Sequence, residues 1–264
     1  MKWIALNDSI KQLLEPFDGR IAFKIEMDDQ MIEQKSEDIF PSASLIKIPI
    51  LIETFRQSEE RQIYLNQPVT IPLQERVGGS GVIHAMSDKV FMTIEDILTL
   101  MIVVSDNTAT NLLISLLGQD QINGCLKELG MDKTVLNRKM MDSKAIEEGR
   151  DNYTTAADVL ASLKAINEGT LLTAESKQRI LTIMKKQQFT DKLPARMDLE
   201  KVSVANKTGS LPGVTHDCAI ITYGEKTAYA AVLTDGLSSE EEGRQMIAKI
   251  GELVYEYITE QQNR

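Results

Sequence analysis

Apolar positions change their spacing along the chain. Residues 3–14 carry them at helical intervals, up to Pro16, and RIAFKIEM (20–27) alternates apolar with polar, as a half-buried strand does. IEQKSEDIF (32–40) is placed as its hairpin partner. From 44 to about 199 the period is helical, with helices expected over 45–57, 93–103, 107–117, 119–129, 155–167 and 173–188. Two of these open on strong caps: Thr93 with Glu95 and Asp96 in the first turn, and Thr155 with Asp158 three residues on. After 200 the pattern changes: KVSVANKTG (201–209), HDCAIITYG (216–224) and KTAYAAVLTDG (226–236) read as strands joined by turns at LPGV and GEK. A last helix is expected over about 239–261.

Strands at both ends of a chain pair most simply into one sheet. The expected fold is therefore α+β: an antiparallel sheet of about five strands flanked by N- and C-terminal helices, with an inserted all-helical part. This predicts a discontinuous sheet domain from 1–42 and 200–264, a helical domain from 43–199, and an active site in the cleft between them. Two long irregular stretches interrupt the helical pattern, the glycine-rich PLQERVGGSGVIHAMSD (72–88) and a segment from about 135 to 153. Loops of this length inside a compact domain are usually functional.

Composition narrows the partners. Across 264 residues, 42% hydrophobic and 26% charged is the balance of a globular protein with room for a large core. A net charge of −10 argues against nucleic acid and anionic membrane, both of which need a basic face. A small-molecule substrate and a monomer are expected. Cys125 and Cys218 lie far apart with no metal-ligand spacing and are expected as two buried free thiols. His84 and His216 are the only histidines, too few for a multi-histidine metal site, and no metal or organic cofactor is implied. At the start, only four apolar residues (Trp3 to Leu6) precede Asn7-Asp8, too few for a signal-peptide core, and no run reaches membrane-spanning length. A cytoplasmic location is expected, unless a leader has been removed.

The chemistry starts at SASLIKIP (42–49). Lysine is among the residues least often buried, yet Lys47 sits between isoleucines at the head of an apolar run. Ser44 lies one helical turn before it on the same face. Pro49 is tolerated only near a helix start, which puts Ser44 at a helix N-terminus. A serine hydroxyl needs a base, and a lysine serves once desolvation or nearby positive charge lowers its pKa. Taken alone, Ser44 and Lys47 read better as a helix cap and a surface lysine whose stem lies along the core.

Two further triplets change that reading. Ser105-Asp106-Asn107 falls between two expected helices, and Lys207-Thr208-Gly209 ends an expected strand. Ser-x-x-Lys, Ser-Asp-Asn and Lys-Thr-Gly, in this order and with separations of 105 − 44 = 61 and 207 − 105 = 102, resemble the penicillin-recognising serine enzymes, class A β-lactamases above all. The sheet–helices–sheet order extends the likeness over nearly the whole chain. The resemblance implies a serine hydrolase that attacks a β-lactam carbonyl through an acyl-enzyme. In that picture Ser44 is the nucleophile, Lys47 a base and Ser105 a proton relay. Asn107 and Lys207 position the substrate, Gly209 admits it, Thr208 and Ser210 meet its carboxylate, and the N–H groups of Ser44 and Ser210 form the oxyanion hole. A D-alanyl peptidase, amidase or esterase on the same residues, or a slowly deacylating penicillin-binding domain, is the alternative.

One part of the family pattern is missing. Class A enzymes carry a loop glutamate that activates the deacylating water. In LNRKMMDSKAIEEGRD (136–151) its position falls on Met140, with Asp142 the nearest carboxylate. His216, at the start of the strand after the Lys-Thr-Gly hairpin, is weighed as an anion-binding group against a surface strand end, the latter preferred. His84 is expected to pack, and Arg150 with Asp151 to form an ion pair closing the loop.

Overall fold

The computed structural model describes residues 3–15 and 17–260. Helix α1 (Trp3–Leu14) buries Leu6, Ile10 and Leu14, one stripe at helical spacing. Pro16, expected to end it, lies outside the described residues. Strand β1 (Arg20–Met27) turns back at once into β2 (Gln30–Gln34) through Asp28-Asp29. Both aspartates have positive φ, as a two-residue hairpin turn of matching twist requires. The partner strand therefore starts earlier than expected from the apolar pattern and ends at Lys35, which is left-handed at φ 49°.

The two-residue strand β3 (Phe40–Pro41) leads through a 3₁₀ turn, Ala43–Ile46, into α2 (Lys47–Glu59). Short strands β4 (Pro68–Val69) and β5 (Met92–Thr93) pair with each other before α3 (Ile94–Val103), α4 (Asn107–Leu117) and α5 (Gln119–Glu128). The second long loop contains a helix that the sequence reading did not place, α6 (Ser143–Glu147). Strand β6 (Tyr153–Thr154), paired with β3, and helices α7 (Ala156–Asn167) and α8 (Ala174–Met184) complete the helical part. Both expected caps are made: Thr93 and Asp96 form a reciprocal capping box, and the Thr155 hydroxyl accepts from the Asp158 amide.

Strands β7 (Ser203–Leu211), β8 (Val214–Tyr223) and β9 (Lys226–Asp235) then join β1 and β2, and α9 (Glu240–Glu260) closes the described chain. The sheet has five strands in the order β2-β1-β9-β8-β7, antiparallel throughout. Its inner strands β8 and β9 are buried on both faces and read as apolar runs. On β9, Ala228, Ala230 and Val232 face α1 and α9, while Tyr229, Ala231 and Leu233 face the helical part. The second core is continuous from the sheet into α2, α3, α4 and α7. Strand β7, at the edge of the sheet, is the one that carries Lys-Thr-Gly. Cys125 and Cys218 are both buried and free. Among the described residues no helix is long and apolar enough to cross a membrane.

Candidate active site

Ser44 sits on the 3₁₀ turn before α2, not at an α-helical N-cap. The turn is strained at Ala43, a non-glycine residue with φ 45°. It is pinned from outside, where the Ser42 amide donates to the Asn152 carbonyl. Strand β7 approaches it closely: a Cβ at Gly209 would stand 3.3 Å from the Ser44 nitrogen and 3.1 Å from the Ala43 Cβ. A side chain there would crowd the serine turn by a few tenths of an ångström, which glycine avoids. Counting back along β7 from the two-residue turn at Pro212-Gly213, Leu211↔Val214 is the hydrogen-bonded pair and Ser210↔Thr215 the non-bonded one. The Ser210 N–H therefore points out of the free edge, on the side where Ser44 lies.

Lys47 is fully buried. Its ammonium donates to the Ser105 carbonyl (2.7 Å), the Ser105 hydroxyl (3.1 Å) and the Asn107 Oδ1 (3.0 Å). Burial and the nearby charge of Lys207 hold it well below the ordinary lysine range. Lys207, also fully buried, donates to the same Ser105 hydroxyl (3.1 Å) and to the Thr208 carbonyl (2.7 Å), and burial lowers its pKa to about 7. One hydroxyl thus lies between two amines from distant parts of the chain. Ser105 takes the left-handed conformation, φ 54°, to reach that position. The Ser44 hydroxyl has no hydrogen-bond partner among the described residues, so Lys47 spends its hydrogen bonds on Ser105 and Asn107 rather than on Ser44.

The glycine-rich loop is stitched over the Ser-Asp-Asn turn. Asp106 caps α4 through Ala109 and also accepts from the amides of Val82 and Ile83. The Asn107 side chain donates to Gly78 and its amide to Ser80. Gly81 is obligatory here: φ is 106°, and a Cβ would lie 2.2 Å from the Asp106 carboxylate.

The cleft beside these groups encloses about 290 Å³. Ser44, Asn107 and Ser210 line it together with Met140, Met141 and Ile146. Met140 is fixed by Asn111, which accepts from its amide (2.7 Å) and donates to its carbonyl (3.0 Å). Asn152 receives the amides of Asn137 and Arg138 and so ties the loop to the turn that carries Ser44. Among the described residues no carboxylate lines this cleft. The Asp142 carboxylate is used as the cap of α6, accepting from the Ala145 amide.

Three local expectations are corrected. His216 is neither a surface strand end nor an anion-binding group: it is fully buried, Nε2 facing the Pro41 carbonyl at 2.8 Å and Nδ1 3.1 Å from the Thr234 amide. Nδ1 also lies 2.9 Å from the Thr215 carbonyl, and burial pushes the ring's pKa down to about 4. It pins the segment entering the Ser44 turn onto β8. Asp151 pairs with Arg138 at 2.8 Å, whereas Arg150 pairs with Glu148. His84 is exposed on a 3₁₀ turn rather than packed.

Two residues near the site have no place in the three motifs. Asn111 follows Asn107 by one helical turn, a spacing visible in the sequence. Lys192 gave no such signal. It is buried and donates to the carbonyls of Gly209 (2.9 Å) and His216 (3.0 Å) and to the Ser210 hydroxyl (3.0 Å), and burial lowers its pKa to about 8. Because Lys192 donates to Ser210, that hydroxyl, which lines the cleft, keeps its own proton free for another acceptor.

With this geometry in place, comparison with known proteins gives the class. The model of the beta-lactamase enzyme family matches residues 5–258. The chain belongs to that family. Beta-lactamase BRO-1 of Moraxella catarrhalis is 22% identical over 96% of this chain and 85% of its own. The β-lactamase from Sphaerobacter thermophilus superposes with a TM-score of 0.90 at 30% identity, covering 97% of this chain and 98% of that one. PBP-A superposes with a TM-score of 0.88 at 25% identity, covering 98% and 97%, as does a point mutant of PBP-A solved as an acyl-enzyme complex with penicillin G.

Proposed function

We propose that the protein is a serine hydrolase of the class A β-lactamase type that opens β-lactams through an acyl-enzyme on Ser44. The observation that carries this reading is the Ser105 hydroxyl held between the buried amines of Lys47 and Lys207. Neutral Lys47 is the base available near Ser44. The Ser44 oxygen attacks the lactam carbonyl while its proton passes to Lys47. The oxyanion is received by the N–H groups of Ser44 and Ser210. Ser105 hands a proton to the leaving nitrogen as the C–N bond breaks, and Lys47 or Lys207 replaces it. Asn107 and the hydroxyl of Ser210, with Thr208 behind it, orient the amide and carboxylate of the substrate. The site lies where the sheet part (1–42 and 200–264) meets the helical part (43–199).

Deacylation needs an activated water, and the residue at the family's glutamate position is Met140. The acyl-enzyme is therefore long-lived in this reading. Intact-mass measurement with benzylpenicillin tests it. Wild type gains one penicilloyl mass that decays slowly, and Ser44→Ala gains none. An adduct that persists in Ser44→Ala, or no adduct on wild type, overturns the proposal.

A further inference from the structure

The backbone just before Ser44 is held from two directions. Pro41 faces Tyr153 across the short β3–β6 ladder, but the Tyr153 amide donates to Val135. The Pro41 carbonyl points away from β6, toward β8, where Nε2 of His216 lies 2.8 Å from it. The next group along, the Ser42 N–H, donates the other way, to the Asn152 carbonyl at 2.8 Å. One peptide unit, Pro41–Ser42, is thus gripped at both ends, by the sheet and by the loop. Among the described residues, the His216 contact is the one hydrogen bond from the five-stranded sheet to residues 40–44.

This grip sits immediately before the strained position. Ala43 holds φ 45°, and such a conformation persists only where its surroundings over-determine it. Ala43 and Ser44 lie over Gly209 of β7, and His216 is the cross-strand partner of Gly209 on β8. The turn is therefore seated on one cross-strand pair. Glycine leaves room for it, and histidine meets the segment that leads in. The ring itself is fixed: it is fully buried, its Nδ1 lies 3.1 Å from the Thr234 amide, and it meets Phe40 edge to face. The Thr215 carbonyl beside Nδ1 already accepts from the Thr234 hydroxyl, whereas the Pro41 carbonyl has no second donor among the described residues.

We infer that His216 is a positioning residue for the nucleophile: by donating from Nε2 to the Pro41 carbonyl, it sets the Ser44 hydroxyl and amide where an acyl carbonyl is attacked and its oxyanion received. The inference rests on the acyl-enzyme reading above. His216 does not line the cleft and acts only through the turn. Its loss should slow bond formation and leave binding by Asn107, Thr208 and Ser210 in place. Displacing a reacting group by about 1 Å costs on the order of 10²-fold.

Two amide side chains divide the ring's contacts. In His216→Gln the NH₂ group reaches about as far as Nε2 and serves Pro41. In His216→Asn it reaches only as far as Nδ1, beside Thr215 and Thr234, and His216→Leu offers no donor at all. The test follows acylation of the full chain by benzylpenicillin at several concentrations by intact mass, below the unfolding transition of each variant. This separates the limiting rate from the half-saturating concentration. His216→Gln is expected within about threefold of wild type, and His216→Asn and His216→Leu on the order of 10²-fold slower at saturation, with half-saturation changed less than about twofold. Equal rates in the Gln and Asn variants, or a loss confined to half-saturation, overturns the inference while the wild-type adduct leaves the acyl-enzyme intact. If His216→Asn and His216→Leu fail to fold beside a folded His216→Gln, the contact serves the fold rather than Ser44, and the inference is likewise overturned. No adduct on wild type overturns both readings together.

Discussion

Behind Ser44 and Asn107, which line the cleft, Lys47, Ser105 and Lys207 form a buried polar cluster in which nearly every donor has a partner. From the loop, Met140, Met141 and Ile146 present hydrocarbon and sulfur to the cleft beside Arg138 and Ser143, and the loop's backbone is held by Asn111, Asn152 and the start of α6. Both walls are held by strained backbone, at Ser105 and at Met141. The difference lies in what the strain presents: a proton path on one side, a dry surface on the other. In the reading proposed above, such a site forms an ester bond readily and hydrolyses it slowly, because among the described residues no carboxylate lines the cleft.

The largest effect is expected from removing Lys47, the proposed base. Lys47→Met keeps the length and suits the apolar surroundings, so the fold should persist, while acylation by benzylpenicillin falls on the order of 10³-fold. The wild-type acylation rate should rise with pH through the lowered pKa of Lys47, since only the neutral amine accepts the serine proton. An inflection at the ordinary lysine value near 10.4 would instead identify a solvated amine and remove Lys47 from the role.

The next effect tests the opposite wall. Met140→Glu puts a carboxylate where the backbone is already fixed by Asn111. The adduct lifetime should shorten by about 10²-fold if that carboxylate reaches the ester-attacking water. The apolar surroundings will raise its pKa, so the gain should grow with pH. An unchanged lifetime would show that position 140 does not correspond to the family's glutamate.

How well each wall could be read from sequence follows from the same contrast. Ser44, Ser105 and Lys207 were legible because their chemistry needs particular residues at particular spacings on helix starts and a strand end. The inner strands were legible because burial on both faces makes them apolar runs, as in KTAYAAVLTDG. Met140 was located only as a missing acid, and its role as part of an apolar surface depends on α6, a five-residue helix too short to show periodicity. Arg150 and Asp151 misled because adjacent residues point apart, and the true partner, Arg138, is thirteen positions away. His216 sits one pair beyond the turn-proximal Thr215, but β9 on one side and Phe40 and Pro41 above it bury the ring. Lys192 belongs to an irregular stretch with no pattern at all, and only the crossing of that stretch beneath β7 and β8 makes it part of the site.

Lys192 supplies a smaller test of the polar wall. It touches the substrate side only through the Ser210 hydroxyl, so Lys192→Met should act on binding more than on chemistry. KM for benzylpenicillin is expected to rise about tenfold with kcat little changed, and the preference over its methyl ester to shrink. Lys192→Arg should recover part of the loss. Equal loss for the acid and the ester would mean that Lys192 holds the strand and does nothing for the carboxylate.

The smallest effect separates the walls by stability rather than rate. Burial lowers Lys207 to about 7, while in the unfolded chain it keeps the ordinary lysine value. Between those two values the unfolded state carries a proton that the folded state has released. Raising the pH from 7 toward 10 therefore favours folding, by on the order of 1 kcal/mol per pH unit for this one group. Below pH 7 both states are charged and the group adds no slope, although its buried charge then destabilises the fold most. Thermal unfolding of wild type should thus move upward relative to Lys207→Met by a few degrees between pH 7 and pH 9. Met140→Leu alters no titrating group, and its unfolding temperature should track wild type across the same range. Parallel curves for wild type and Lys207→Met would mean that the amine stays hydrated and charged, and the contrast between a desolvated polar wall and a dry apolar one would be lost.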